Sequence, residues 1–130
     1  SLCYYCSSSP DAVKGLIIIQ SGIESDKFEV AKNAIFEQLD DIRAGRFTDD
    51  EQSSALRSLS NGYRELSDSA RQLESWYLGR RLAGAGGDPE DIIDSLSRVT
   101  RDEIIAAANK ASVDTIYFLN GTLKEEEENA

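Results

Sequence analysis

The apolar residues of this chain change their spacing at Gly22, and that change constrains the fold more than any other feature. Before it, Leu16, Ile17, Ile18 and Ile19 run consecutively. The block is too short for a helix, and its β-branched side chains favour a strand. After it, apolar residues recur at steps of three and four as far as Ala111. That is the period of helices with one covered face. The early part of the chain therefore reads as β and the long middle as α.

Residues 2–7, rich in Tyr and Cys and without helical period, read as a short strand. Ser8, Ser9, Pro10 and Asp11 carry turn chemistry. Residues 14–21 read as a second strand, buried on both faces. Ser25 or Asp26 is the candidate N-cap of a first helix, whose stripe is Phe28, Ala31, Ile35, Leu39 and Ile42. Gly45 stands where a left-handed residue would end it.

Thr48 and Glu51 have the spacing of a capping box. Behind them Leu56, Leu59, Tyr63 and Leu66 form a stripe assigned to the core. Ser69 with Gln72 offers a fresh cap, so two consecutive helices are expected, the second reaching Leu82. Residues 84–87 form a glycine-rich loop. Asp88 followed by Pro89 opens a short helix through Ile92, Ile93 and Leu96. Thr100 and Glu103 repeat the capping box, ahead of Ile104, Ile105, Ala108 and Ala111. Residues 115–119 read as a closing strand, ended by Asn120-Gly121.

The expected class is α+β: an antiparallel or mixed sheet with helices on one face, in the order β-β-α-α-α-α-α-β. Residues 1–123 are expected to form one domain, which 130 residues can supply with a core. Residues 124–130, with Glu125 to Glu128, read as a solvated acidic tail.

The net charge of −10 sets this chain against phosphate backbones and anionic lipid surfaces. Neither nucleic acid nor membrane is an expected partner. No apolar run approaches the roughly 20 residues of a membrane helix, and no export signal precedes the first strands. A cytoplasmic location is expected. The chain has no methionine, which reads as a segment of a longer parent. An open sheet edge would offer a route to a homodimer.

The chemistry-bearing residues are few. There is no histidine, the commonest acid–base and zinc residue. Cys3 and Cys6 are the only thiols. Three apart on a strand they point to opposite faces, poor geometry for a disulfide or a shared metal, and zinc would need two further N or S ligands. Asp40-Asp41, Asp49-Asp50-Glu51 and Asp102-Glu103 sit at helix surfaces or first turns, where they favour the helix dipole. Residues 84–87 lack the lysine of a phosphate loop and follow a helix. Trp76 and Tyr77, adjacent on a helix, read as one core and one boundary residue, with a binding platform as the other reading. No catalytic residue and no metal ligand is expected in this chain.

Three stretches together resemble the insulinase/pitrilysin family of zinc metallopeptidases. The first is Leu2-Cys3-Tyr4-Tyr5, with Lys14-Gly15 opening the next strand and Ser21-Gly22-Ile23 ending it. The second runs from Ile42 through Gly45 and Thr48 to Glu51. The third is Val99 to Ile104, leading to Phe118-Leu119-Asn120-Gly121. The resemblance implies the later part of a non-catalytic repeat, because the family's H-x-x-E-H zinc motif is absent. It implies a domain that helps enclose the peptide, with zinc elsewhere in the parent if the parent is active. Implied partners are the rest of the parent chain or an active peptidase subunit, and a peptide substrate. An inactive scaffold that pairs with an active subunit is the other function the resemblance allows. The family's substrate-touching tyrosine lies in a leucine-small-tyrosine triplet, which Leu2-Cys3-Tyr4 matches. Tyr4 is thereby the implied substrate-binding residue, and the family's partner arginine would fall ahead of Ser1.

Overall fold

The computed structural model describes residues 2–11 and 13–121. Two strands, β1 (Tyr5–Asp11) and β2 (Leu16–Gly22), precede five helices: α1 (Phe28–Arg43), α2 (Asp49–Glu65), α3 (Ala70–Leu82), α4 (Pro89–Leu96) and α5 (Arg101–Lys110). The class is α+β. The acidic tail expected at 124–130 lies outside the described residues.

The strands pair antiparallel from Tyr5 opposite Gly22 to Asp11 opposite Leu16. Ser8, Ser9, Pro10 and Asp11 belong to β1, not to the turn, and residues 2–4 precede it. Pairing with the β-branched run opposite overrides their weak strand propensity, and proline is tolerated where a strand edge stays open. The turn is made instead by the Asp11 carboxylate, which accepts from the backbone N–H of Val13 (3.1 Å) and Lys14 (3.0 Å).

Helix ends follow the sequence closely with one exception. Gly45 closes α1 at φ +69°, its N–H donating to Ile42 O at 3.0 Å and that of Arg46 to Asp41 O at 2.7 Å. The Thr48–Glu51 and Thr100–Glu103 boxes are both made. Asp88 caps α4 reciprocally with Asp91, with Pro89 at the first helical position, and the Ser69 hydroxyl caps α3. The exception is α1. Neither Ser25 nor Asp26 caps it; a short 3₁₀ turn, Ser25–Lys27, leads in, and α1 has no side-chain cap. The Ser25 hydroxyl is used elsewhere, donating to Asn120 Oδ1 at 2.6 Å.

The two threonine boxes have a pH signature. In each, the glutamate carboxyl is held below its ordinary value of 4.5, first by the threonine backbone N–H and then by its hydroxyl. A carboxyl lowered on folding stabilises above its unfolded value and loses that contribution as pH falls through the folded one. Thr48→Ala or Thr100→Ala should each cost about 1 kcal/mol at neutral pH. The cost should shrink below pH 4.5, as urea midpoints across that range would show.

The helices pack in pairs, α1 against α5 and α2 against α4. Ala31 lies on the α1 stripe and is buried, while Phe28, Ile35 and Leu39 are half-buried. In α2, Leu56, Tyr63 and Leu66 are half-buried, but Leu59 is 52% exposed and leaves the core assignment. Among the described residues only Ala31 and Pro89 are buried, and Ala31 still exposes 5% of its surface.

Two expectations about strands change for the same reason. Leu16 to Ile19, expected to be buried on both faces, are all exposed, Ile17 by 62%. Residues 115–119 are not a strand; the sheet has two strands, and nothing pairs with this segment among the described residues. A strand needs a neighbour to satisfy its backbone and a layer to cover its face. Among the described residues Leu16 to Ile19 have β1 beside them but no layer over them, and residues 115–119 have neither.

Candidate functional site

One end of the hairpin meets the start of α1 and the segment after α5. The Tyr4 N–H donates to Gly22 O at 2.7 Å, carrying the ladder one residue beyond β1. Next to it the Tyr5 ring lies across Gly22, where a Cβ would stand 2.5 Å from Tyr5 Cε1. That close approach requires the glycine. Past Gly22 the chain turns through Glu24 and Ser25 into α1. The Phe28 and Phe118 rings stack there at 4.3 Å, and the Ser25–Asn120 bond closes the corner.

Tyr4 is 75% exposed at this corner. Its hydroxyl donates to Glu24 Oε1 at 3.3 Å. The negative charge of Glu24 pushes the phenol above its ordinary value, with smaller contributions from burial, the hydrogen bond and Asp26. The group therefore stays protonated far into the alkaline range and remains a hydrogen-bond donor. Glu24 and Asn120 were not legible as site residues. Their partners stand 20 and 95 positions away, a separation that no local spacing signals.

Cys3 is half-buried and Cys6 exposed. With Leu2 and Ser21 they face Ala31 and Ile35 of α1 across a shallow hollow whose exposed lining is apolar. The donor set does not fit zinc. The chain has no imidazole, and among the described residues no three Cys, Asp or Glu side chains are placed to hold a metal ion. The carboxylates noted in the sequence act as helix caps and surface pairs: Asp40 with Arg43 (2.9 Å), Asp41 with Arg46 (2.6 Å), Asp49 with Arg101 (3.2 Å). No helix among the described residues is long and apolar enough to cross a membrane.

Trp76 is half-buried and meets Tyr63 edge-on at 6.5 Å, with the Arg80 guanidinium 5.2 Å from its ring. Tyr77 is exposed beside it, as are Leu78 and Leu82. This cluster joins α2 to α3. Val30 of α1 is exposed, as are Ile116, Tyr117 and Leu119 on either side of Phe118.

Residues 1–59 match the family model described as the Peptidase M16 inactive domain. Over 122 residues, 94% of this chain, the sequence is 34% identical to the "Probable inactive metalloprotease YmfF" of Bacillus subtilis (strain 168). The chain spans 29% of the length of that curated relative. No solved structure gives a significant match. The residues matched by the family model include Tyr4, the hairpin, α1 and the Gly45–Thr48 joint. The chain belongs to the insulinase/pitrilysin (M16) peptidase family, within its non-catalytic part.

Proposed function

We propose that this chain is a non-catalytic domain of a larger peptidase assembly, one that encloses and positions a peptide whose hydrolysis is centred elsewhere. The observation that carries the reading is the Tyr4 corner: an exposed, protonated phenol next to an anchored strand end. A phenol held there can donate to a carbonyl oxygen as charge develops on it. To do so it must release Glu24, which at 3.3 Å is a long and readily exchanged partner. Any zinc belongs to residues outside this chain.

In the full-length protein, Tyr4→Phe is expected to lower kcat by about 10- to 100-fold with little change in KM. Helix content by circular dichroism should not change. Unaltered turnover would remove Tyr4 from the substrate site. A second reading, an inactive scaffold beside an active subunit, is favoured by the word "inactive" in the relative's name. It predicts that the full-length protein lacks H-x-x-E-H and cleaves no peptide, yet is retained by a zinc-loaded partner subunit.

A further inference from the structure

Past the end of β2, the side chain of Glu24 serves Tyr4 and not the helix it precedes. Its backbone is extended (φ −71°, ψ 146°), and it opens the 3₁₀ turn without a side-chain cap to it. Its carbonyl accepts from the Lys27 N–H at 2.9 Å, which fixes that turn. Lys27, the nearest basic residue in sequence, pairs loosely with Asp26 at 3.5 Å. The Glu24 carboxylate is left to the Tyr4 hydroxyl, at 3.3 Å. Tyr4 is thus held twice by one short stretch of chain. Its N–H donates to Gly22 O, and its O–H donates to Glu24, two residues on.

A phenol has one proton to donate, so Glu24 and a bound peptide compete for it. Hydrogen bonds to an ionised acceptor are roughly twice as strong as those between neutral groups. The carboxylate therefore keeps the phenol from the neutral carbonyl of a bound peptide. The oxyanion that forms when that carbonyl is attacked is a more basic acceptor than a carboxylate, and it takes the hydrogen bond. We propose that Glu24 is a positioning residue for Tyr4, a role that rests on the peptide-positioning function proposed above. It withholds the phenol from the bound substrate and yields it to the transition state. The O–H bond stays intact throughout, and only its acceptor changes. An interaction that would otherwise serve substrate and transition state alike is then made in the transition state alone, the kind that raises kcat. Because the Tyr4–Glu24 bond is long and exposed, the hold is modest.

Steady-state kinetics of the full-length protein on one internally quenched peptide test this role. Glu24→Ala is expected to lower KM and kcat together, each about fivefold, with kcat/KM changed by less than about twofold. Glu24→Gln, whose amide oxygen is an acceptor of the same class as the peptide carbonyl, should fall between. In a Tyr4→Phe background, Glu24→Ala should move neither constant. Helix content by circular dichroism should be the same in every variant. A KM that stays where it was overturns the proposal. So does an equal effect in both backgrounds, which would mean that the carboxylate acts on the peptide or on the fold without Tyr4. If Tyr4→Phe itself leaves turnover unaltered, or the full-length protein cleaves no peptide, the peptide-positioning function fails first and this role with it.

Discussion

Replacing Arg101 by alanine is expected to lower the unfolding free energy by about 3 kcal/mol, the largest loss for any single side chain outside the apolar stripes. Arg101 opens α5 and reaches back to the α1–α2 joint. One of its nitrogens donates to Gly45 O at 2.7 Å and to Phe47 O, another to Asp49 Oδ1 at 3.2 Å. Its guanidinium lies 4.1 Å from the centre of the Phe47 ring. The Asp49 carboxylate is almost fully exposed, so that pair adds little. The weight rests on the two carbonyls, which accept charge-assisted bonds, and on the ring. Arg101→Lys should recover less than half of the loss, since an ammonium cannot present the planar fork. Urea midpoints of the three proteins at equal slope would decide it, and a loss under 1 kcal/mol would mean that the joint holds without the clamp.

Gly45→Ala is expected to cost about 2 kcal/mol at the same joint. An alanine at φ +69° carries the left-handed penalty of about 1–2 kcal/mol. Its Cβ would stand 2.9 Å from Ile105 Cδ1. That methyl is the far end of a side chain and can move, so the steric share is smaller than the backbone share. Because Arg101 holds the Gly45 carbonyl, the two substitutions touch one structure. The double variant should therefore lose less than the sum of the single losses. Strict additivity would show that the α1 terminus and the α5 clamp act independently.

This joint shows which parts of the fold were legible beforehand. Gly45, Thr48–Glu51, Ser69, Asp88-Pro89 and Thr100–Glu103 all punctuate the helices as read, because each cap is satisfied within about five residues of chain. The clamp was not legible. Arg43 reaches Ala108 O and Ala111 O, and Arg101 reaches Gly45 O, across more than fifty residues. Leu59 continued the α2 stripe correctly in period, yet no helix covers it. Ser8 to Asp11 read as a turn because their own propensities say so, and they became strand because Leu16 to Ile19 lie opposite. The Tyr4 corner was legible only through family resemblance, since its neighbours Glu24 and Asn120 are remote in sequence.

By itself, the sequence determined the α+β class, the five helices and their ends apart from the start of α1, and the lack of any imidazole. Those features rest on short-range hydrogen bonds, apolar period and composition. Only the tertiary structure decided which apolar residues are covered, where Arg43 and Arg101 anchor, and that among the described residues Leu16 to Ile19 have no layer over them and residues 115–119 no neighbouring strand. Burial and strand pairing are relations between distant segments, and a pattern along one segment cannot state whether its partner is present.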